Sequence, residues 1–210
     1  MAALLVPAKE VGGDLYDFFI RDEHLFFCVG DVSGKGVPAS LVMAVTRSLF
    51  RTLAGREKKP GAIVKQMNDS MSDMNESNMF VTLFCGVLDM KTGHLDYCNA
   101  GHNAPLLFTD HVAPLPVVSN LPLGILADQE FQEESVDLKY DDALFLYTDG
   151  VTEAENIHHE LFGEERMAAV MHTRRTAQEH LEAMRAAVTE FVGEAPQSDD
   201  ITVLFIHYLG

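Results

Sequence analysis

Basic residues are scarce, cysteines are few and no long apolar run occurs in this 210-residue chain, and each scarcity closes off a class of function. Lysine and arginine number 15 against 32 aspartates and glutamates, a formal net charge of −17 with histidine neutral. A surface of that sign repels a nucleic-acid backbone or an anionic membrane. Nucleic acid and direct membrane contact are therefore excluded as partners, while a site that concentrates cations is permitted. The three cysteines, Cys28, Cys85 and Cys98, lie in apolar, strand-like segments and form no C-x-x-C pair. They read as reduced, small buried hydrophobes of a cytoplasmic protein. No apolar run approaches the ~18 residues that a membrane span needs. Met1-Ala-Ala-Leu-Leu-Val breaks at Pro7 and has no basic flank, so it does not read as a signal peptide. What is present suits a substantial core, with 47% hydrophobic and 22% charged residues. No repeat, low-complexity tract or linker divides the chain, which predicts one domain over residues 1–210. Its start almost directly in a strand suggests the C-terminal part of a longer protein.

The stretch Val29-Gly30-Asp31-Val32-Ser33-Gly34-Lys35-Gly36 organises the rest. Leu25 to Val29 before it has strand character, and Pro38 after it opens a stretch of helical periodicity. Asp31 thus sits where a buried strand gives way to a loop. Glycine lets backbone approach an ion or phosphate closely, so the geometry is that of a strand-end ligand site. A P-loop is excluded, because that motif needs glycine where Val29 stands and Ser or Thr where Gly36 stands. The plainer alternative is a glycine-rich turn whose Asp caps the next helix.

Along the chain, Ala2 to Ala8 reads as a strand. Leu15 to Ile20 and Leu25 to Val29 form a hairpin around Arg21-Asp22-Glu23-His24, bringing Asp14 and Asp31 to the same end. Pro38 to Ala54 presents Leu41, Val42, Val45, Leu49 and Leu53 as the core face of a helix. A second helix, Pro60 to Asn75, presents Ile63, Val64, Met67, Met71 and Met74, and Gly55 to Gly61 is the solvated loop between the two. Strands follow at Phe80 to Asp89, Leu95 to Asn99, Pro105 to Phe108, Phe131 to Leu138 and Ala143 to Tyr147. Helices at Glu164 to Met171 and Thr176 to Val192 precede a last strand, Ile201 to Tyr208. Two antiparallel sheets packed together with helices outside accommodate this order.

Asp14, Asp31, Asp149 and Asp199-Asp200 share one local grammar, each standing at a strand end. One such Asp is ordinarily a turn former; the repetition is informative. Converging carboxylates repel and raise one another's pKa unless a cation neutralises them. An all-oxygen set suits hard divalent ions such as Mg²⁺, Mn²⁺ or Ca²⁺ rather than zinc. His102 reads as a structural, hydrogen-bonding histidine, and His158-His159 with Glu160 as a solvated turn.

Motifs running in order through essentially the whole chain carry a resemblance. Val11-Gly12-Gly13-Asp14-Leu15-Tyr16-Asp17, Gly30-Asp31-Val32-Ser33-Gly34-Lys35-Gly36 and Asn99-Ala100-Gly101-His102-Asn103-Ala104-Pro105 are three of them. Leu121-Pro122-Leu123-Gly124, Thr148-Asp149-Gly150-Val151-Thr152-Glu153 and Asp199-Asp200-Ile201-Thr202 are the others. Together they resemble the SpoIIE-type branch of the PPM (PP2C-like) serine/threonine phosphatases.

That resemblance implies an α+β fold, a four-layer αββα sandwich of two antiparallel sheets flanked by helices, with two Mn²⁺ or Mg²⁺ ions at one end. It implies that Asp31 bridges both ions, that the Val32 backbone carbonyl binds one, and that Asp149 and Asp199 complete the other's shell. Asp200 is the alternative to Asp199, Asp14 acts through water, and Asp17 is a further candidate. Water activated by the ions would attack phosphoserine or phosphothreonine directly. Many eukaryotic PP2C members carry Gly-His after the bridging Asp, where Val32-Ser33 stands here, so leaving-group protonation falls to water or another residue. Lys9, five residues before Asp14, is the candidate for their phosphate-binding arginine. The implied substrate is a phosphorylated anti-sigma-factor antagonist, the implied neighbour an upstream regulatory or sensor domain, and a homodimer stays open. Two rival readings are a catalytically silent binding module and a carboxylate-metal phosphodiesterase or nuclease.

Overall fold

The computed structural model describes residues 1–72, 79–171 and 175–210. Strands β1 (Ala2–Val6), β2 (Leu15–Arg21) and β3 (His24–Val32) precede helices α1 (Val37–Ala54) and α2 (Pro60–Ser72). Next come β4 (Val81–Asp89), β5 (His94–Ala100), β6 (Leu106–Phe108), β7 (Val112–Pro114), β8 (Glu134–Asp137) and β9 (Ala143–Tyr147). The chain ends with α3 (Asp149–Thr152), α4 (Gly163–Met171), α5 (Ala177–Val192) and β10 (Ile201–His207). One sheet has the order β1-β10-β9-β6-β7 and the other β2-β3-β4-β5-β8. Neighbouring strands are antiparallel throughout.

Strand β3 shows why the layers stack. Phe27 and Val29 point between the sheets, among Phe84, Tyr97, Leu144, Leu146 and Leu204. Phe26 and Cys28, on the opposite face, pack with Phe50 of α1 and with Ile63 and Met67 of α2. A strand buried on both faces has no polar alternation, which is why this segment reads as an unbroken apolar run. In the other sheet Phe145 and Phe205 turn outward to Met167, Leu181 and Met184 of α4 and α5. The result is the expected four-layer αββα sandwich.

Local signals explain the element ends. Asp22 and Glu23, at φ 48 and 63, make the β2–β3 turn. Pro occupies the first turn of α1. Thr176 and Glu179 form a reciprocal capping box on α5.

The structure also departs from the sequence reading. β1 ends at Val6, and β7 and the one-turn α3 were not anticipated. Met74 lies outside the described residues. In α1 the buried side chains are Ala39, Thr46, Phe50 and Ala54, with Val42, Leu49 and Leu53 packed at their flank. Leu41 and Val45, expected on the core face, are 64% and 43% exposed. At 100° per residue they fall on the far side of the helix from Phe50.

Candidate metal centre

Pairing of β2 with β3 runs from Arg21↔His24 to Leu15↔Gly30, and one further step sets Asp14 opposite Asp31. The next strand, β4, places Thr82 in register with Asp31. In the second sheet β9 pairs with β10 as far as Tyr147↔Val203. The Thr148 N–H then donates to the Thr202 carbonyl at 3.0 Å. Asp149 therefore leaves one strand at the edge where Asp199-Asp200 enters the other. The Thr148 hydroxyl donates to Asp14 Oδ2 at 2.7 Å. That bond crosses from one sheet to the other, so the acidic ends of both sheets share one mouth.

Asp199 and Asp200 divide the work there. Asp200 is buried and accepts from the backbone N–H groups of Ala8 at 2.7 Å, Gly13 at 2.7 Å and Asp14 at 3.4 Å. A Cβ at Gly12 would collide with the Asp200 carboxylate, and one at Gly150 with its carbonyl. Glycine at these two positions lets the loops close over Asp200. Asp199 instead faces the mouth, where Lys35 Nζ lies 2.7 Å from its Oδ2 and donates to the Ser198 carbonyl at 2.7 Å.

Burial and mutual repulsion set the electrostatics. Asp14 is pushed up to about 8, by burial first, with Asp31 and Asp200 adding to it against the Thr202 and Thr148 hydroxyls. Asp31 is pushed up to about 7, again by burial first, then by Asp149 and Asp199. Asp149 is raised by burial, by Glu153 and by Asp199, against the Gly150 N–H and Lys35.

Among the described residues no three acidic, histidine or cysteine side chains stand ready-grouped around one cation position. Two observations explain this: Asp199 is turned to Lys35, and Asp200 to the backbone. The donor chemistry nevertheless suits a hard cation. Asp31, Asp149 and Asp199 are half-buried and reach solvent at the mouth, and Asp199 adds to the raised proton affinity of Asp31 and Asp149, a repulsion that a divalent ion relieves. The Val32 carbonyl faces the same loop, 3.1 Å from where a Gly13 Cβ would stand.

Three expectations need correction. Asp17 is no ligand candidate: its buried carboxylate accepts from Arg51 Nε and Nη2, each at 2.5 Å, with Arg47 Nε at 3.4 Å, beneath α1. It points to the helix layer because β2 alternates, and it shares the face of Leu15. Asp200, the alternative to Asp199, is committed to three backbone donors. Lys9 is exposed, and the cation that meets the carboxylates is Lys35. Lys35 stands between two glycines in a stretch that is not a P-loop, and nothing in its sequence neighbours marks the carboxylate that it meets. Thr148, which joins the two sheets at Asp14, was visible as part of a motif and not as a contact.

Two antiparallel sheets with helices outside and acid side chains converging at one end define a PP2C-like phosphatase domain. The SiaA-PP2C domain of Pseudomonas aeruginosa superposes with a TM-score of 0.83 at 27% identity, over 99% of this chain and 85% of that one. The chain belongs to the SpoIIE family, whose model, Stage II sporulation protein E, matches residues 21–209. Phosphoserine phosphatase RsbU of Bacillus subtilis is 30% identical over 73% of this chain and 46% of its own. Protein IcfG of Synechocystis is 29% identical over 98% of this chain and 37% of its own. The chain thus spans less than half the length of these two relatives.

Proposed function

We propose that residues 1–210 form one phosphatase domain that hydrolyses phosphoserine or phosphothreonine on a regulatory protein of the anti-sigma-factor-antagonist type. The observation that carries this reading is the meeting of carboxylates from both sheets, with Asp14 driven toward protonation by burial, Asp31 and Asp200, and Asp31 by burial, Asp149 and Asp199. Two divalent cations, Mn²⁺ or Mg²⁺, would be held by Asp31, Asp149 and Asp199, with the Val32 carbonyl on one of them and Asp14 acting through water. Bound there, such ions would supply Lewis acidity toward water and phosphoryl oxygens. Thr148 fixes the Asp14 carboxylate by its 2.7 Å bond, and Asp200 ties Ala8, Gly13 and Asp14 to the end of β10. Lys35, on a loop between Gly34 and Gly36, supplies a positive charge to the phosphoryl oxygens. His102 is no general acid, since burial pushes it down to about 4 and leaves it 7% exposed; the leaving oxygen takes its proton from water. We place the domain in the cytoplasm; no described helix is long and apolar enough to cross a membrane.

Hydrolysis of p-nitrophenyl phosphate and of a phosphoserine protein, followed in EDTA and after Mn²⁺ is restored, tests the reading. Activity should vanish and return, and Asp31→Asn should lose at least ~100-fold while keeping the fold. Turnover that persists in EDTA, or an undiminished Asp31→Asn, overturns it. Silence in every divalent cation, with binding of the phosphoprotein retained, indicates a binding module instead.

A further inference from the structure

His102 occupies a place that core packing does not explain. Gly101, at φ 71, reverses the chain after β5. Asn99 then holds His102 by both backbone groups, its Oδ1 accepting from the N–H and its Nδ2 donating to the carbonyl, each at 2.8 Å. This clamp sends the imidazole between the two sheets. Its Nδ1 lies 2.9 Å from Thr82 Oγ1. Thr82 stands in register with Asp31, and its hydroxyl is 3.5 Å from the Asp31 carbonyl oxygen. On the other side, His102 Nε2 is buried and faces the Tyr147 carbonyl without closing a hydrogen bond of ordinary geometry. Tyr147 ends β9, two residues before Asp149.

One buried ring therefore touches the strand beside Asp31 and the strand that delivers Asp149. A carbonyl only accepts, so a neutral ring facing Tyr147 carries its proton on Nε2 and accepts the Thr82 hydroxyl at Nδ1. We propose that His102 is a positioning residue, an imidazole strut between the sheets that sets the separation of Asp31 and Asp149 and thereby the affinity for divalent cations. The proposal rests on the metal-dependent reading above. Partners that orient metal ligands at one remove are worth roughly 10–100-fold in affinity. The strut acts on both carboxylates through backbone, by way of Thr82 on one side and Tyr147 on the other.

The test is Mn²⁺ binding by calorimetry on wild type, His102→Leu, His102→Gln, Thr82→Val and the Leu/Val double variant, with thermal unfolding in EDTA alongside. His102→Leu fills the space without either polar contact and should weaken Mn²⁺ binding ~10–100-fold. His102→Gln, which keeps a donor toward Tyr147, should recover part of that loss. Thr82→Val should weaken binding in the same direction, and the double variant should bind no worse than His102→Leu, because both act through one connection. Should His102→Leu fail to fold, Thr82→Val alone decides. Folded variants with wild-type Mn²⁺ affinity, or losses that simply add, overturn the strut and leave the metal site standing. Wild type that binds no Mn²⁺ overturns the metal site and the strut together.

Discussion

Adjacent in sequence, Asp199 and Asp200 meet different neighbours, and substitution separates them. Asp200→Asn deprives the backbone N–H groups of Ala8, Gly13 and Asp14 of a charged acceptor. A loss of about 2 kcal/mol in urea unfolding is expected. Asp199 loses only a half-exposed ion pair with Lys35, so Asp199→Asn should cost no more than ~1 kcal/mol in EDTA. It should instead weaken Mn²⁺ binding by at least ~10-fold. Equal effects of the two variants on both measurements would remove the distinction. Lys35→Met should raise KM for p-nitrophenyl phosphate several-fold with the fold intact, and an unchanged KM would strip Lys35 of its role. These residues also show what was legible. An apolar run closed by Asp and flanked by Gly is a local pattern, so Asp31 and Asp149 could be picked out from their neighbours alone. Lys35 acquires its partners from Ser198 and Asp199, 163 residues away for the hydrogen bond, and no local pattern announces that.

Helix α1 is fixed to its sheet by charge as well as by Phe50. The Asp17 carboxylate, 3% exposed, takes Arg51 in a two-point contact and Arg47 beside it. Removing Arg51 leaves a buried charge with only the Phe18 N–H at 2.9 Å and the more distant Arg47, so Arg51→Ala should destabilise by about 2 kcal/mol. Asp17→Asn should cost a similar amount, and the pair should be non-additive in a double-mutant cycle. Asp17→Asn should also keep Mn²⁺ affinity within about two-fold; a large loss would return Asp17 to the metal shell. The helix was legible from its period, but its buried face was not. Apolar residues stand on both sides, Val42, Leu49 and Leu53 against the core and Leu41 and Val45 in solvent. An arc that wide cannot be oriented by hydrophobicity alone. The strands suffered less, because burial on both faces left no orientation to guess.

At the scale of the whole molecule, a chain with a net charge of −17 gathers part of that charge between its two sheets, and stability should record the cost. Asp14 and Asp31 are raised from 3.8 to about 8 and about 7. The folded protein therefore holds protons that the unfolded chain has already lost, and stability falls as pH rises between those limits. Below about pH 6.5 the trend is blurred, because His102 and His180 are lowered by burial and favour folding as pH rises. Above it that opposing contribution fades as the unfolded histidines lose their remaining protons. His94, raised by Asp137, works in the same direction as the carboxylates, and His94→Asn removes it. From pH 6.5 to 8.5 in EDTA, His94→Asn should lose about 2 kcal/mol, read as a fall of several °C in Tm. Saturating Mn²⁺ should flatten that slope, since a cation favours the ionised carboxylates that high pH produces. A Tm in EDTA that stays level across this range would mean that burial and the neighbouring carboxylates do not hold protons on Asp14 and Asp31 in the folded protein.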